Sequence, residues 1–460
     1  MILVTATTVA LLIAVTPTQA RPAQQTATPS ASTSNQASQA PPVPRPPLPN
    51  RVNEVLPEWI RVRGEFRDRM EGPAGMGFVS GRDDLYWLNR FRFNVGVQPS
   101  RLLSFQVQAQ DARVAKKSVG PVGPPFRDVF DLRMAYADIG DAQKGPFLVR
   151  VGRQELVYGE QRLVGHVSWL NTARTFDGAR VIVRGEKFQL DGFGSSVVAI
   201  EDEEYNRSSF GSSRFFGVYG STTAWLPQST VEPYVFYRFG QDQRSELGSI
   251  GDLRAATLGA RWVGKLPPRL DYGVEMALQA GSLGPDEVRA WAGHWQIRET
   301  LNTKYALRLV EEYNFASSDS NPTDGRRETF DQLYPTPHDK YGLADQVGWK
   351  NIHHVRAGVE ITPFKKLALT GSYHSWWLAN ANDALYGAGS SVVARVPGGA
   401  ADRHVGQELD VQAFYSLAPQ VQLAGGYAYV FPGKFLQEAT PGASYSYPYV
   451  MVTYVFLAEK

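Results

Sequence analysis

The sequence predicts an all-β protein, a transmembrane antiparallel β-barrel of about 18 strands. Apolar and polar side chains alternate along segments of about 10–12 residues, whereas strands of soluble proteins average about 5–6 residues. Long and short connections tend to alternate between these segments, and no helical segment that could cover a sheet interrupts the pattern before the chain ends. A soluble β-sandwich also alternates, but nothing in its architecture sorts its loops by length.

The alternation gives each segment one apolar and one polar face. In residues 60–67 the sequence reads Ile, Arg, Val, Arg, Gly, Glu, Phe, Arg. The same period of two recurs in residues 91–97, 105–110, 132–134, 149–151, 355–361 and 408–413. Successive side chains of a strand point to opposite faces, so these segments suit a wall with lipid on one side and water on the other.

Following this pattern along the chain gives eighteen strands, an even number as in single-chain bacterial barrels, with sixteen as the alternative count. The predicted strands span residues 58–69, 85–98, 102–113, 129–140, 146–155, 176–185, 187–200, 214–226, 231–240, 253–264, 269–281, 288–300, 304–316, 351–362, 367–378, 406–418, 421–431 and 446–457. Their polar composition marks the two longest connections, residues 317–349 and 379–405, as mobile lids that could occlude a pore.

Composition excludes several classes of protein. The 460 residues carry 47 Lys+Arg against 45 Asp+Glu, a balance that argues against nucleic-acid binding and against an acidic disordered chain. After residue 20 no run approaches the ~18 apolar residues of a transmembrane helix, which excludes a helical membrane protein. The 43 Gly and the 12% of aromatic residues suit an all-β fold. Cysteine is absent, which excludes disulfides and thiolate metal sites.

The first fifty residues are not expected to belong to the barrel. Residues 9–15 are apolar but too short to anchor the chain, and Thr18, Gln19 and Ala20 resemble a cleavage site, so residues 1–20 are predicted to be a signal peptide. No basic residue precedes Arg21, and a plain disordered tail is the alternative. Residues 21–50 are rich in Pro, Ala, Ser and Gln and are predicted to be a disordered linker, which leaves residues 51–460 for the barrel.

Arginine is concentrated on the face predicted to point into the lumen. The chain has 35 Arg and 12 Lys, and the strand pattern places twelve Arg inward. These are Arg61, Arg63, Arg67, Arg90, Arg92, Arg133, Arg150, Arg180, Arg184, Arg261, Arg308 and Arg356. The inward acidic candidates are Glu65, Asp131, Glu360, Glu408 and Asp410. This excess predicts an anion-preferring pore, because guanidinium groups stay charged and pair with carboxylates. The alternative is that Arg–carboxylate pairs only brace the wall.

Catalytic, metal and cofactor sites are not predicted. His166 with Ser168, and Ser372 with His374, are the closest approaches to a Ser–His pair, and neither has an ordered third partner in the sequence pattern. Glu311 and Glu312 are adjacent in a strand, so their side chains diverge, unlike a glycosidase pair. The acidic residues 201–204 could bind Ca²⁺, although a solvated loop is the simpler interpretation.

Several motifs occur in order along the chain. They are Trp59-Ile60-Arg61-Val62-Arg63-Gly64-Glu65-Phe66-Arg67, Leu88-Asn89-Arg90-Phe91-Arg92, Val151-Gly152-Arg153-Gln154-Glu155-Leu156, Tyr158-Gly159, Arg162-Leu163, Trp169 and Ala173-Arg174-Thr175-Phe176-Asp177-Gly178. Together these motifs resemble the alginate export family. The resemblance covers about residues 55–460. It implies a monomeric, 18-stranded barrel in the bacterial outer membrane, with an electropositive lumen through which an anionic polysaccharide leaves the periplasm.

The function expected from sequence is therefore an outer-membrane channel that passes an anionic, alginate-like polysaccharide through an Arg-lined lumen. An anion-selective uptake porin for small solutes is the alternative, and a barrel enzyme is a more remote third. The expected partners are outer-membrane lipid, the polysaccharide or small anions, and a periplasmic export scaffold, with no nucleic acid.

Overall fold

The computed structural model describes residues 51–142, 145–246 and 248–456. The predicted signal peptide (1–20) and linker (21–50) lie outside these residues, as do the last four residues of the predicted barrel domain. In the described part of the chain, no helix is long and apolar enough to cross a membrane. The helices are α1 (Arg51–Val55), a 3₁₀ turn (Met76–Phe78) and α2 (Lys434–Ala439).

Eighteen strands form one antiparallel sheet that closes on itself. The wall strands are β1 (Ile60–Glu71), β2 (Tyr86–Ser100), β3 (Leu103–Ala115), β4 (Asp128–Ile139), β5 (Phe147–Gln154), β6 (Phe176–Arg184), β7 (Phe188–Ala199), β9 (Ser213–Thr222), β10 (Ser229–Arg244), β11 (Ile250–Leu266), β12 (Leu270–Leu283), β13 (Asp286–Asn302), β14 (Leu307–Ala316), β16 (Ile352–Phe364), β17 (Leu367–Trp377), β20 (His404–Ala418), β21 (Val421–Pro432) and β22 (Tyr445–Phe456). Four short strands lie in the connections: β8 (Arg207–Ser208), β15 (Arg326–Arg327), β18 (Leu385–Tyr386) and β19 (Val392–Ala394).

Closure is made by the first and last strands. β1 pairs with β2 from Ile60 opposite Val97, and with β22 from Gly64 opposite Phe456. Closing the sheet removes the unpaired strand edges that lipid could not satisfy. Each of the eighteen predicted strands corresponds to one wall strand, so the prediction of an 18-stranded barrel is confirmed.

The two faces of the wall follow the period of two. Phe66, Phe91 and Val107 point outward and are about 40% exposed, as expected for side chains that meet lipid tails. Adjacent aromatic residues divide between the faces: Trp377 is exposed, whereas Trp376 is buried inside the barrel. Barrels of this class have short turns on the periplasmic side and long loops outside, which places the 317–351 and 378–403 connections at the external end.

The alternation fails at one predicted segment. Leu132 points outward, but both Arg133 and Met134 line the inner cavity described below. The register between β3 and β4 shifts between Gln108 and Ala109, where a bulge inserts an extra residue. A bulge turns one residue out of phase, and a pattern of period two cannot show this.

Three connections fill the part of the lumen near the external end, called the upper lumen here: residues 155–175, 317–351 and 378–403. They enclose a hydrophobic core in which Trp349, Phe330, Tyr341 and Leu385 are at most 1% exposed. The sequence predicted mobile lids for residues 317–349 and 379–405. The structure shows instead that these connections pack inside the barrel as plugs. Their few apolar residues are scattered among polar ones, so their composition does not reveal this packing.

Candidate functional site

The segment that narrows the lumen is the connection between β5 and β6, residues 155–175, called the constriction loop here. Arg67 and Arg90 each donate from Nη1 to the Ser168 carbonyl oxygen at 2.8 Å. Arg69 donates to the Trp169 carbonyl oxygen at 2.7 Å. Since these arginines belong to β1 and β2, the wall itself holds the loop across the lumen.

Further contacts fix the two ends of the constriction loop. The Asn171 side-chain amide lies 3.0–3.1 Å from the carbonyl oxygens of Asn89, Arg113 and Phe126. At the other end, Arg162 donates to Glu312 on the opposite wall at 2.7 Å. The loop thus spans the lumen between two parts of the wall.

An inner cavity of about 630 Å³ lies on the periplasmic side of the constriction loop. Its basic lining residues are Arg63, Arg67, Arg90, Arg92, Arg133 and Lys340. Its acidic lining residues are Glu65, Glu155 and Asp339. The six basic groups outnumber the three acidic groups, which makes the cavity electropositive.

Two of these arginines carry uncompensated charge. Arg90 pairs with Glu65 at 2.6 Å, and Arg133 pairs with Glu155. Arg67 bonds to carbonyl oxygens and Asn171, and Arg92 donates from Nε to Gln110 at 2.8 Å. Among the described residues, neither Arg67 nor Arg92 has a carboxylate within 4 Å, although both are over nine-tenths buried. Buried unpaired charge is costly, which sets these two guanidinium groups apart from the paired arginines of the cavity.

Loop carboxylates stay ionised beside these cations. Burial alone would raise the pKa of Glu155, but the neighbouring Arg133 guanidinium and His166 lower it to about 2. The pKa of Glu160 shifts in the same direction. Burial alone would raise this pKa, but the charges of Arg162 and Arg261 outweigh the effect of burial and lower it. At neutral pH both groups are therefore anionic, and the positive excess at the cavity remains with Glu155 counted among its acidic lining residues.

Five predicted lumen arginines are held by wall or loop carboxylates away from the inner cavity. The pairs are Arg150–Asp138 at 2.7 Å, Arg180–Asp191, Arg261–Glu232 at 2.5 Å, Arg308–Glu360 at 3.9 Å and Arg356–Glu312 at 3.6 Å. Arg261 also contacts Glu160 at 3.0 Å. These contacts brace the wall, which is the alternative that the sequence left open.

Arg61 and Arg184 have neither role in the described structure. Arg61 donates to the carbonyl oxygens of Pro57 and Ile60, close to the start of β1. Arg184 lies 3.4 Å from Gln189 Oε1. The twelve predicted arginines thus divide between the cavity, the braces and the periplasmic rim.

Sequence reasoning missed the carboxylates that neutralise the bracing arginines. Asp138 lies directly opposite Arg150, and Glu232 directly opposite Arg261, on neighbouring strands. The signal was present in the sequence, but it emerges only once the strand register is known.

Two predicted inward acids have a structural role. Glu408 accepts from the Ala344 N–H at 3.0 Å, and Asp410 accepts from the Leu343 N–H at 3.1 Å. They hold the 317–351 connection inside the barrel. The other three also point inward: Asp131 bonds to Asn206, Glu65 pairs with Arg90, and Glu360 with Arg308.

The residues considered for catalysis have other partners. His166 Nδ1 lies 2.8 Å from Gln161 Oε1, while the Ser168 carbonyl oxygen accepts from arginines. His374 lies 3.1 Å from Asp410, and Ser372 Oγ accepts from Arg356. In the described residues neither Ser–His pair forms a hydrogen bond.

The acidic segment 201–204 forms ion pairs with arginines, and the two residues of the Glu311–Glu312 pair lie on opposite faces of their strand. Glu201 pairs with Arg207, and Asp202 and Glu203 with Arg127. Glu312 is buried against Arg162, whereas Glu311 is exposed on the other face of β14.

Comparison with known proteins places this barrel in a family. The family model described as alginate export matches residues 58–449. No curated protein matches the sequence. Among solved structures, Pseudomonas aeruginosa OccK11 (OpdR) has a TM-score of 0.56 at 13% identity, covering 87% of this chain and 96% of that chain. Pseudomonas aeruginosa OpdQ has a TM-score of 0.59 at 11% identity, covering 86% and 97%.

A third solved structure, Acinetobacter baumannii OccAB2, has a TM-score of 0.59 at 10% identity, covering 87% of this chain and 99% of that chain. At such low identity the likeness to these structures concerns the fold alone. The family match spans most of the sequence and nearly all of the barrel. The chain therefore belongs to the alginate export family and is a β-barrel channel of the bacterial outer membrane.

Proposed function

We propose that this channel passes an anionic, uronate-type polysaccharide from the periplasm to the outside along the electropositive inner cavity. The observation that carries the proposal is the uncompensated charge of Arg67 and Arg92 beside the paired Arg90 and Arg133. A carboxylate that enters the cavity gains charge-assisted hydrogen bonds from a cation that otherwise has only neutral partners. Several such groups offer weak, exchangeable sites, which conduction needs more than one tight site.

The family supports the direction and the polymer class of the proposal. A monomeric channel and a periplasmic export scaffold complete it, as the family resemblance implies. The protein's own contribution would be passive: it supplies charge, width and a path, and the polymer's synthesis or transport elsewhere supplies the drive.

Uptake of small anions is the second candidate, and one observation favours it. Three connections fill the upper lumen, and the inner cavity has about 630 Å³, a volume typical of sites for small molecules. The same arginines would serve either solute, so charge selectivity alone does not separate the two functions. The dependence of channel block on polymer length does separate them.

Both candidates can be tested on purified channels in planar lipid bilayers. In a KCl gradient the wild-type channel should show an anion-selective reversal potential, and Arg63→Gln with Arg92→Gln should reduce that selectivity. Val62→Thr, on the outer face of the same strand, is the matched control and should leave selectivity unchanged. A cation-selective wild type, or variants with the wild-type reversal potential, would contradict the role of these arginines.

Block of the current then separates the two solutes. If the channel exports a polymer, polymannuronate added on the periplasmic side should interrupt the current with dwell times that lengthen with chain length, while neutral dextran of equal size should not. If only galacturonate and other monomers reduce the current, small-anion uptake is the function and polysaccharide export is wrong.

A further inference from the structure

Two cavities meet at one pair of side chains. The inner cavity described above opens toward the periplasmic end of β21 and β22, since Gln422 and Thr453 line it. A second, outer cavity of about 280 Å³ is lined by residues of four external connections, including Pro125, Leu333 and Gly389. Among the described lining residues, Trp169 and His338 are the two that both cavities share.

The shared pair forms a tight stack. The ring centroids of Trp169 and His338 are 3.8 Å apart, and their planes differ by 7°. The Arg69 guanidinium carbon also lies 3.8 Å from the Trp169 centroid. Two groups cannot occupy one ring face at that distance, so Arg69 and His338 cover opposite faces of Trp169. Tyr449 packs edge-on at 5.0 Å. The stack therefore leaves no open face on the tryptophan ring.

The two halves of the stack are held very differently. Trp169 is clamped by Arg69 on its ring and on its carbonyl oxygen, and the preceding Ser168 is held by Arg67 and Arg90. The His338 side chain has one hydrogen bond, from Nδ1 to Asp345 Oδ2 at 2.8 Å. Its Nε2 is buried without a hydrogen-bond partner among the described residues. Trp169 thus belongs to the rigid wall assembly, and His338 does not.

The segment that carries His338 also has unusual backbone geometry. Asp339 and Asp345 have φ angles of +61° and +56°, in a backbone region that residues other than glycine rarely adopt. Such conformations persist when the surroundings impose them, and they concentrate at ligand clamps and switch regions. Both strained positions follow His338 in the chain: Asp339 is the next residue, and Asp345 is the hydrogen-bond partner of the imidazole.

We propose that Trp169 and His338 form the size-determining barrier of the channel. Trp169 is the fixed side of the passage, and His338 is the side that rotates away from the tryptophan face when a solute passes between the two cavities. The barrier acts by size, so this inference goes beyond the proposed function and is independent of whether a polymer or a small anion is carried.

Cysteine accessibility tests this barrier directly, because the chain contains no native cysteine. Thr453→Cys places a thiol in the inner cavity, and Gly389→Cys places one in the outer cavity, where an added Cβ meets nothing within 4 Å. Channels inserted in one orientation are exposed to a charged methanethiosulfonate reagent on one side at a time. Positively and negatively charged reagents are both used, so that an effect of the arginines is separated from an effect of size.

With His338 present, each thiol should react with reagent added on its own side and not with reagent added on the far side. Adding His338→Ala should let both thiols react from both sides, with the rate from the far side rising at least about tenfold for either reagent charge. His353→Ala is the matched control, because His353 contacts Tyr313 on the outer face of the wall. It should preserve the sidedness.

Two results would overturn the proposal: reaction from both sides with His338 intact, or sidedness that survives in His338→Ala. His338→Asn removes the aromatic ring and keeps a side chain able to bond to Asp345. If His338→Ala does not fold, as judged by its heat-dependent gel mobility, the outcome with His338→Asn decides by the same criteria.

Discussion

Arg162 and Glu312 form a fully buried ion pair, with Nη2 and Oε1 2.7 Å apart and side chains 1% and 0% exposed. Arg162 belongs to the constriction loop, and Glu312 belongs to β14 on the facing wall. The Glu312 carboxylate also accepts from Asn314 at 2.9 Å, and its other oxygen lies 3.6 Å from Arg356. The pair therefore closes a polar network that fixes the loop across the lumen.

Breaking this pair should destabilise the protein strongly. Arg162→Met keeps an unbranched side chain but removes the guanidinium group, and it leaves the Glu312 carboxylate buried with a weakened set of partners. Removing one partner of a buried pair costs about 3–5 kcal/mol. Urea unfolding in detergent, followed by the heat-dependent gel shift, should show that loss. Arg162→Met combined with Glu312→Gln should recover part of it.

An exposed pair supplies the control for this prediction. Arg207 and Glu201 lie 2.8 Å apart, but their side chains are 70% and 30% exposed. Arg207→Met should cost far less than Arg162→Met, because water solvates both groups without the contact. Equal losses for Arg162→Met and Arg207→Met would contradict the structural role assigned to the buried pair.

Position along β1 should decide how strongly an arginine affects ion selectivity. Arg63 lines the inner cavity, whereas Arg61 bonds to backbone carbonyls near the start of the strand. At an effective dielectric of about 20 and a distance of about 8 Å, one unit charge changes a carboxylate's energy by about 2 kcal/mol, before screening. Arg63→Glu should therefore shift the reversal potential toward cations more than Arg61→Glu, and less so in 1 M salt. Equal shifts would contradict the cavity assignment.

Local pattern predicted the wall well, because a strand's face is set by a period that sequence displays directly. Phe66 and Arg67 occupy the faces that alternation assigned to them. The failures have non-local causes. A bulge brings Met134 to the same face as Arg133, and the strand register brings Asp138 opposite Arg150. Occlusion of the lumen by the long connections was predicted, but their packing was missed for the same reason, since Trp349 is buried by segments distant in sequence.

The external plug should depend on Asp383, which joins two connections. Its carboxylate accepts from Thr329 and from the Asp319 N–H in one connection, and from Tyr386 at 2.8 Å in the other. Asp383→Ala leaves these donors unpaired in a buried setting, at about 1–3 kcal/mol each. Limited trypsin digestion should then cut after Arg326, Arg327 and Arg395 faster than in the wild type, while the barrel stays resistant.

Asp402→Ala is the control for the plug, because this carboxylate is partly exposed and pairs with the exposed Lys434 at 3.6 Å. Its digestion should match that of the wild type. Deleting residues 383–401 removes Asp383 together with the buried Leu385, so it should raise conductance and also open the 317–351 connection to trypsin. A deletion that raises conductance with unchanged digestion would mean that residues 383–401 are a separate lid.

The outer end of the barrel should weaken as pH rises, because of Glu246. Burial, a hydrogen bond with Asp319 and the charge of that carboxyl raise the pKa of Glu246 from its ordinary 4.5 to about 8. The folded protein therefore binds this proton more tightly than the unfolded chain between those two values. The stabilising contribution is complete below about pH 4.5 and is lost as pH rises through 8.

Glu246→Gln, which resembles the protonated acid, should remove this part of the pH dependence. The temperature of the gel-mobility transition, measured from pH 5 to pH 9, should fall less in the variant than in the wild type. Glu287→Gln, an exposed carboxylate that pairs with Arg289 nearby, is the control and should keep the wild-type slope. If Glu246→Gln and the wild type lose the same number of degrees across this range, the Glu246–Asp319 contact does not hold a proton in the folded protein.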